Sequence, residues 1–214
     1  MKRLWIVGAG GHGVVVADAA RASQCWSEIA FFDDRWPGVL RTSVVIEGTV
    51  AAASERLLTS ERHQVEVIVA VGDNSTRLTL SSALQAIGAN LATVVHPFTA
   101  ISPSVQIGAG SVVLAGAVIN AGATLGRACI VNTRASVDHD CVIGDGVHIS
   151  PGVALAGNVV VHDLCWLGIG SCAIPGVVVG RAAVVGAGAA VTKNVNAGTT
   201  VAGCPAKEIR SVSQ

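Results

Sequence analysis

From Ile101 to Val191 an aliphatic residue returns every six positions, filling sixteen slots with one lapse, Ala173. Four residues after each slot stands a small one, among them Ser111, Ala117, Cys129, Cys141, Cys165 and Ala189. No insertion breaks the register. A hexapeptide period of this kind predicts a parallel β-helix in which three hexapeptides close one triangular coil of eighteen residues. Half of the fourth positions are glycine (Gly110, Gly116, Gly122, Gly146, Gly152, Gly170, Gly176 and Gly188), as tight left-handed corners require. Many sixth positions, which should face outward, are apolar: Val112, Val118, Ile130, Val142, Val160, Trp166, Val178 and Val184. A monomer does not leave so much contiguous apolar surface in water, so the pattern points to subunit packing.

Before about residue 95 the period is absent and another pattern takes over. Apolar runs at Leu4–Val7, Ile29–Phe32, Val67–Val71 and Leu91–Val95 predict strands. Helices are predicted from Val14 to Ser23, near Val50 to Leu58, and from a cap at Asp73 or Asn74 to about Ile87. The remainder of the stretch from Arg35 to Glu66 reads as a flap. Strands alternating with helices predict a small Rossmann-like parallel α/β domain over residues 1–97. The β-helix and a C-terminal tail then occupy 98–214.

Composition changes this picture little. The 214 residues carry fourteen Lys plus Arg and fourteen Asp plus Glu, so no net field draws in nucleic acid or an anionic membrane. The hydrophobic content of 51% is spread at period six. No run reaches the roughly 18 apolar residues of a spanning helix. The opening Met1-Lys2-Arg3 and its apolar run resemble a signal peptide, but Gly10, Gly11, His12 and Gly13 interrupt it. These features together predict a cytoplasmic protein. There is no C-x-x-C pair, and Cys129, Cys141 and Cys165 occupy the small inward slot, so the six cysteines read as structural thiols.

Two stretches carry candidate chemistry. Gly8-x-Gly10-x-x-Gly13 follows a strand and opens a helix, where backbone N–H groups can approach a phosphate. Asp33, twenty residues beyond Gly13, could take ribose hydroxyls. A dehydrogenase would fit that motif, but the domain is half a full dinucleotide fold. No hydride-transfer site follows it either, so a nucleotide or sugar-phosphate binder is favoured. In the β-helix, Asn132-Thr133-Arg134-Ala135-Ser136-Val137-Asp138-His139-Asp140 is unusually polar. His139 stands near a corner, and the residue one coil above it is Gly157, which leaves room for a substrate and a free N–H. Asp138 or Asp140 could hold one imidazole nitrogen and leave the other as a base near neutrality. His148 and His162 are not spaced from His139 in multiples of eighteen, so no metal site is predicted within one chain. His63 and His96 carry no signal.

These residues, together with Asp33-Asp34 and the closing Ala202-Gly203-Cys204-Pro205-Ala206-Lys207, resemble the PglD/NeuD-like family of sugar O- and N-acyltransferases over essentially the whole chain. The resemblance is strongest to the acetyltransferases of UDP-linked 4-amino-sugars in bacterial glycan precursor synthesis. It implies a left-handed helix, acetyl-CoA as donor, and a homotrimer with an interfacial active site. It also implies roles: His139 as general base, Asp140 as its orienting partner where the family more often has Glu, and Asn132 at the acceptor. His148 would meet the thioester end of acetyl-CoA. Ile169 and Ala187 would meet the pantetheine arm, and the Gly157 N–H the developing oxyanion. Gly11, His12, Gly13, Asp33, Asp34 and Gly72 would contact the nucleotide-sugar. A hydroxyl acceptor, as in sialic acid O-acetylation, and a non-catalytic nucleotide-sugar binder are the competing readings.

Overall fold

The computed structural model describes residues 2–37, 45–59 and 63–211. The chain divides into two compact units, Met1–Pro97 and Phe98–Gln214.

In the first unit, β1 (Arg3–Val7), β2 (Glu28–Phe32), β3 (Ile46–Gly48) and β4 (Val65–Val69) form a sheet in the order β3-β2-β1-β4, all parallel. The helices are α1 (Gly11–Ser23), α2 (Val50–Leu57) and α3 (Asn74–Ala86). Thr49 caps α2 through the Ala52 N–H, and Asp73 caps α3 through the Thr76 N–H. Trp5, Val7, Phe32, Leu57, Val67, Val69 and Leu84 form one buried cluster. Two local expectations change. The short strand β3 was hidden in the stretch read as a flap, half of whose remainder (38–44 and 60–62) lies outside the described residues. The predicted Leu91–Val95 strand shrinks to Val94–Val95, with Leu91 making one isolated parallel bridge to Val67.

The second unit is a left-handed parallel β-helix. Two-residue strands stack every eighteen residues on three faces. One holds 106–107, 124–125, 142–143, 160–161 and 178–179; the next, 112–113, 130–131, 148–149, 166–167 and 184–185; the last, 100–101 through 190–191. Every aliphatic slot from Val113 to Val191 is buried, and Ala173 sits among them in register with Leu155 and Val191. Fourteen consecutive fourth positions, from Gly110 to Gly188, have positive φ. Six of these are not glycine: Ala128, Arg134, Asp140, Asn158, Leu164 and Ala182. Each such residue costs about 1–2 kcal/mol, which the surrounding ladder of backbone hydrogen bonds must outweigh.

The inward thiols behave as small hydrophobes. Cys129, Cys141 and Cys165 are buried, and their Sγ atoms donate to Gly144 O, Ala156 O and Gly180 O at 3.1, 3.2 and 3.0 Å. Burial pushes the Cys165 thiol up to about 11, which keeps it uncharged. The outward apolar surface is smaller than the sequence pattern implies, because Val112 and Ile130 are 1% and 0% exposed. Val142 and Trp166 remain open, at 49% and 51%. No helix among the described residues is long and apolar enough to cross a membrane.

Candidate active site

His139 and Asp140 turn the corner between strands Ser136–Val137 and Val142–Ile143. His139 Nδ1 lies 2.8 Å from Asp140 Oδ2. A carboxylate can only accept, so Nδ1 carries the hydrogen and Nε2 of the neutral ring has the free lone pair. Although Asp140 is the shorter acid, its left-handed backbone (φ 58°) lets it reach the ring. The hydrogen bond to Asp140, with the charges of Asp138 and Asp140, raises the His139 pKa above its ordinary value. Asp138 does not touch the ring. Its Oδ1 accepts the His139 N–H at 2.8 Å and the Asn120 side chain at 2.8 Å, which hold its carboxyl below the usual range. Asn120 has no signature in the sequence pattern; only its position eighteen residues before Asp138 could have drawn attention to it.

Gly157 stacks on the imidazole. A Cβ at 157 would lie 2.5 Å from both Cε1 and Nε2 of His139, so any side chain there displaces the base. Third-position N–H groups project from the corners of the solenoid. Those of Arg127, Thr133, His139 and Asp145 are taken by side-chain oxygens. Among the described residues the Gly157 N–H has no acceptor, beside a base with a free lone pair.

A second group of residues gathers on a different edge. His148 and Trp166 are register partners with ring centroids 6.0 Å apart and planes within 5°. With Ser150, Ile169, Val184 and Ala187 they line a cavity of about 450 Å³. The Trp166 indole donates to Ser150 Oγ at 2.9 Å. Asn132 joins this group rather than His139: its Nδ2 lies 3.3 Å from His148 Nε2. The N–H groups of Ile169 and Ala187 have no acceptor among the described residues. Gly157 is not part of this cavity. Trp166 is the residue sequence reasoning placed only as an outward apolar position.

In the α/β unit, β1 ends in a turn whose glycines are required. A Cβ on Gly13 would overlap the Gly8 carbonyl oxygen, and Gly8 has φ 104°. The α1 N-terminus has no side-chain cap, and nothing lies within 4 Å of where a Gly11 Cβ would be. Asp33 is already engaged. Its two oxygens accept from Ala9 N, Arg35 N, Arg35 Nε and Arg35 Nη2 at 2.6–3.0 Å. The Arg35 guanidinium holds its carboxyl well below the usual range. Asp34 accepts the Val50 N–H. Gly72 O accepts from the fully buried Arg77, which also serves Val71 O and Asn74 Oδ1. Beside it, His12 has an enclosed Nε2 without a partner among the described residues. Burial and then the Arg77 charge lower its pKa to about 4, so the ring is neutral. The described residues contain no group of three His, Cys, Asp or Glu that could hold a metal.

Residues 3–84 match the PglD N-terminal domain family. Along nearly its whole length the chain is similar to the GDP-perosamine N-acetyltransferase of Escherichia coli O157:H7. The two are 30% identical over 221 residues, covering 98% of this chain and 97% of the relative. The chain belongs to the PglD/NeuD-like family of sugar acyltransferases. Two solved structures resemble this acyltransferase throughout. The acetyltransferase domain of PglB from Neisseria gonorrhoeae FA1090, in complex with acetyl coenzyme A, superposes with a TM-score of 0.92. It is 41% identical and covers 97% of this chain and 99% of its own. PerB from Caulobacter crescentus, in complex with CoA and GDP-perosamine, gives 0.89 at 36% identity, with 97% of each chain covered.

Proposed function

We propose that this acyltransferase moves the acetyl group of acetyl-CoA to the amine of a nucleotide-linked amino sugar, with His139 as the general base. The observation that carries the chemistry is the stack of a free imidazole Nε2 against the backbone of Gly157, whose N–H has no other acceptor. The relatives named for, or solved with, GDP-perosamine and CoA support the substrate pair. Two further structures of the Caulobacter enzyme have one histidine replaced, by asparagine or by alanine, and hold the same two molecules.

In this reading His139 Nε2 removes a proton from the sugar amine as its nitrogen bonds to the thioester carbonyl carbon. The tetrahedral oxyanion accepts the Gly157 N–H. The C–S bond then breaks, and the CoA thiolate recovers a proton from the imidazolium. Asp140 fixes the tautomer and stabilises the imidazolium. No step requires a metal.

His148, Ile169 and Ala187 take acetyl-CoA, with Asn132 holding His148. They occupy an edge of the prism that His139 and Gly157 do not share. A single chain therefore cannot close the site, and a homotrimer in which one copy's His139 edge meets the cavity of the next resolves this. The exposed Val142 and Trp166 faces suit that packing. Residues 1–97 supply the nucleotide-sugar site. There Gly11, His12 and Gly13 offer the helix N-terminus, and Asp33, Asp34 and Gly72 shape the crevice at the strand ends.

Thiol release from acetyl-CoA with UDP-, GDP- and dTDP-linked 4-amino-sugars, alongside free sialic acid, tests the proposal. Activity should require a nucleotide-linked amine, and His139→Ala should lower kcat by about 10²- to 10⁴-fold. Near wild-type kcat in that variant would sink the assignment of the base.

A further inference from the structure

Asp140 reaches the imidazole with its backbone in the left-handed region (φ 58°), and its carboxylate must then be kept in place. The corner residue one coil below is Gly122, with φ 75°. A Cβ there would overlap Asp140 Oδ1 and lie 3.4 Å from Asp140 Cγ. Gly122 is itself anchored: its N–H donates to Ser104 Oγ at 3.0 Å, and that hydroxyl shares a hydrogen bond with Ser102 Oγ. Left-handed geometry alone does not demand glycine on this solenoid, because Ala128 and Ala182 hold equivalent corners at φ 53° and 55°. What distinguishes position 122 is the carboxylate above it.

We infer that Gly122 is a positioning residue for the catalytic base, its bare Cα forming the floor on which the Asp140 carboxylate lies within reach of His139 Nδ1. The inference rests on the reading of His139 as the base. From the same coil Asn120 holds Asp138, which in turn holds the His139 N–H. The base is thus fixed from below on one side by a side chain and on the other by the absence of one.

The test compares Gly122→Ala with Gly198→Ala in the full chain. Gly198 also has positive φ (67°), but a Cβ there meets nothing within 4 Å. Both variants should lose similar Tm from backbone strain. Only Gly122→Ala should lose kcat, by about tenfold or more, with KM for acetyl-CoA unchanged. Its His139 resonances should titrate at lower pH than in the wild type, and the acidic limb of the rate profile should move with them. In an Asp140→Ala background, Gly122→Ala should change kcat by less than about twofold, since no carboxylate remains to displace. Wild-type kcat and titration in Gly122→Ala, or losses that multiply with Asp140→Ala, would overturn the inference. Should Gly122→Ala not fold, the double variant Gly122→Ala/Asp140→Gly must fold as Gly198→Ala does; its failure shows that strain, not the carboxylate, demands glycine. The titration of His139 reads the contact directly, so it stays informative even if His139→Ala proves active and the base lies elsewhere.

Discussion

The two units position polar groups by opposite means. In the α/β unit the candidate residues sit on loops after strands and are held by partners at no fixed spacing: Asp33 by nearby Arg35 and distant Ala9, Gly72 by nearby Arg77, Asp34 by the first turn of α2. In the solenoid they sit at corners and are held by whatever lies eighteen residues away. Gly157 covers His139, Gly122 underlies Asp140, and Asn120 holds Asp138. A loop can absorb a changed neighbour, but a stacked corner cannot, because the ladder of backbone hydrogen bonds fixes the coil spacing at which its neighbours stand.

Three substitutions sharpen that contrast. The largest effect is expected at Arg77, whose fully buried guanidinium ties together three acceptors of the loop before α3 and its first turn. Arg77→Met should destabilise the α/β unit by roughly 3–5 kcal/mol. Calorimetry should show an early transition with the solenoid's own transition unmoved; one unshifted transition would show that the guanidinium does not organise the loop. Next comes Gly157→Ala, where the backbone accepts alanine but the imidazole is displaced. It should keep its Tm within about 1–2 °C of the wild type and lose kcat about a hundredfold, about 2.7 kcal/mol in barrier. Retained kcat would mean that His139 has room to move, and the stacked corner would then be no stiffer than a loop.

The smallest effect concerns His12. Its pKa falls from 6.5 to about 4 on folding, so between those values the unfolded chain binds the extra proton. Stability from this group is complete above about pH 6.5 and is lost as pH falls through that window, by on the order of 2–3 kcal/mol. Urea titrations at pH 7 and pH 4.5 should show the loss in the wild type and a flatter response in His12→Asn. Equal slopes in both would place the acid sensitivity elsewhere.

Much of the solenoid was legible because its period is rigid. Counting in eighteens sets Gly157 over His139 and sends the three cysteines inward, and the structure shows both. The same count could have paired Asn120 with Asp138 and Gly122 with Asp140, but neither residue type announces itself at a corner full of glycines and small polar side chains. Apolar sixth positions read as uniformly exposed, yet Val112 and Ile130 are buried, since what covers a face is not encoded in the face's own repeat. In the α/β unit the glycine turn and the helix caps were readable from local chemistry. Arg35 and Arg77 were not, because residue type alone does not say that an arginine will turn back onto acceptors a few residues before it.

By itself the sequence determined the coil, its register and the identity of the candidate base, since a six-residue aliphatic period admits one way to bury its slots. Between the two acids that the residues themselves left open, the tertiary structure shows which one meets the ring: Asp140 at its left-handed corner reaches Nδ1, while Asp138 is spent on Asn120 and the backbone. It alone separated the His139 edge from the His148 cavity, because strands three apart in sequence share a face and neighbouring hexapeptides do not. That division within one chain is the observation on which the proposed two-copy site rests.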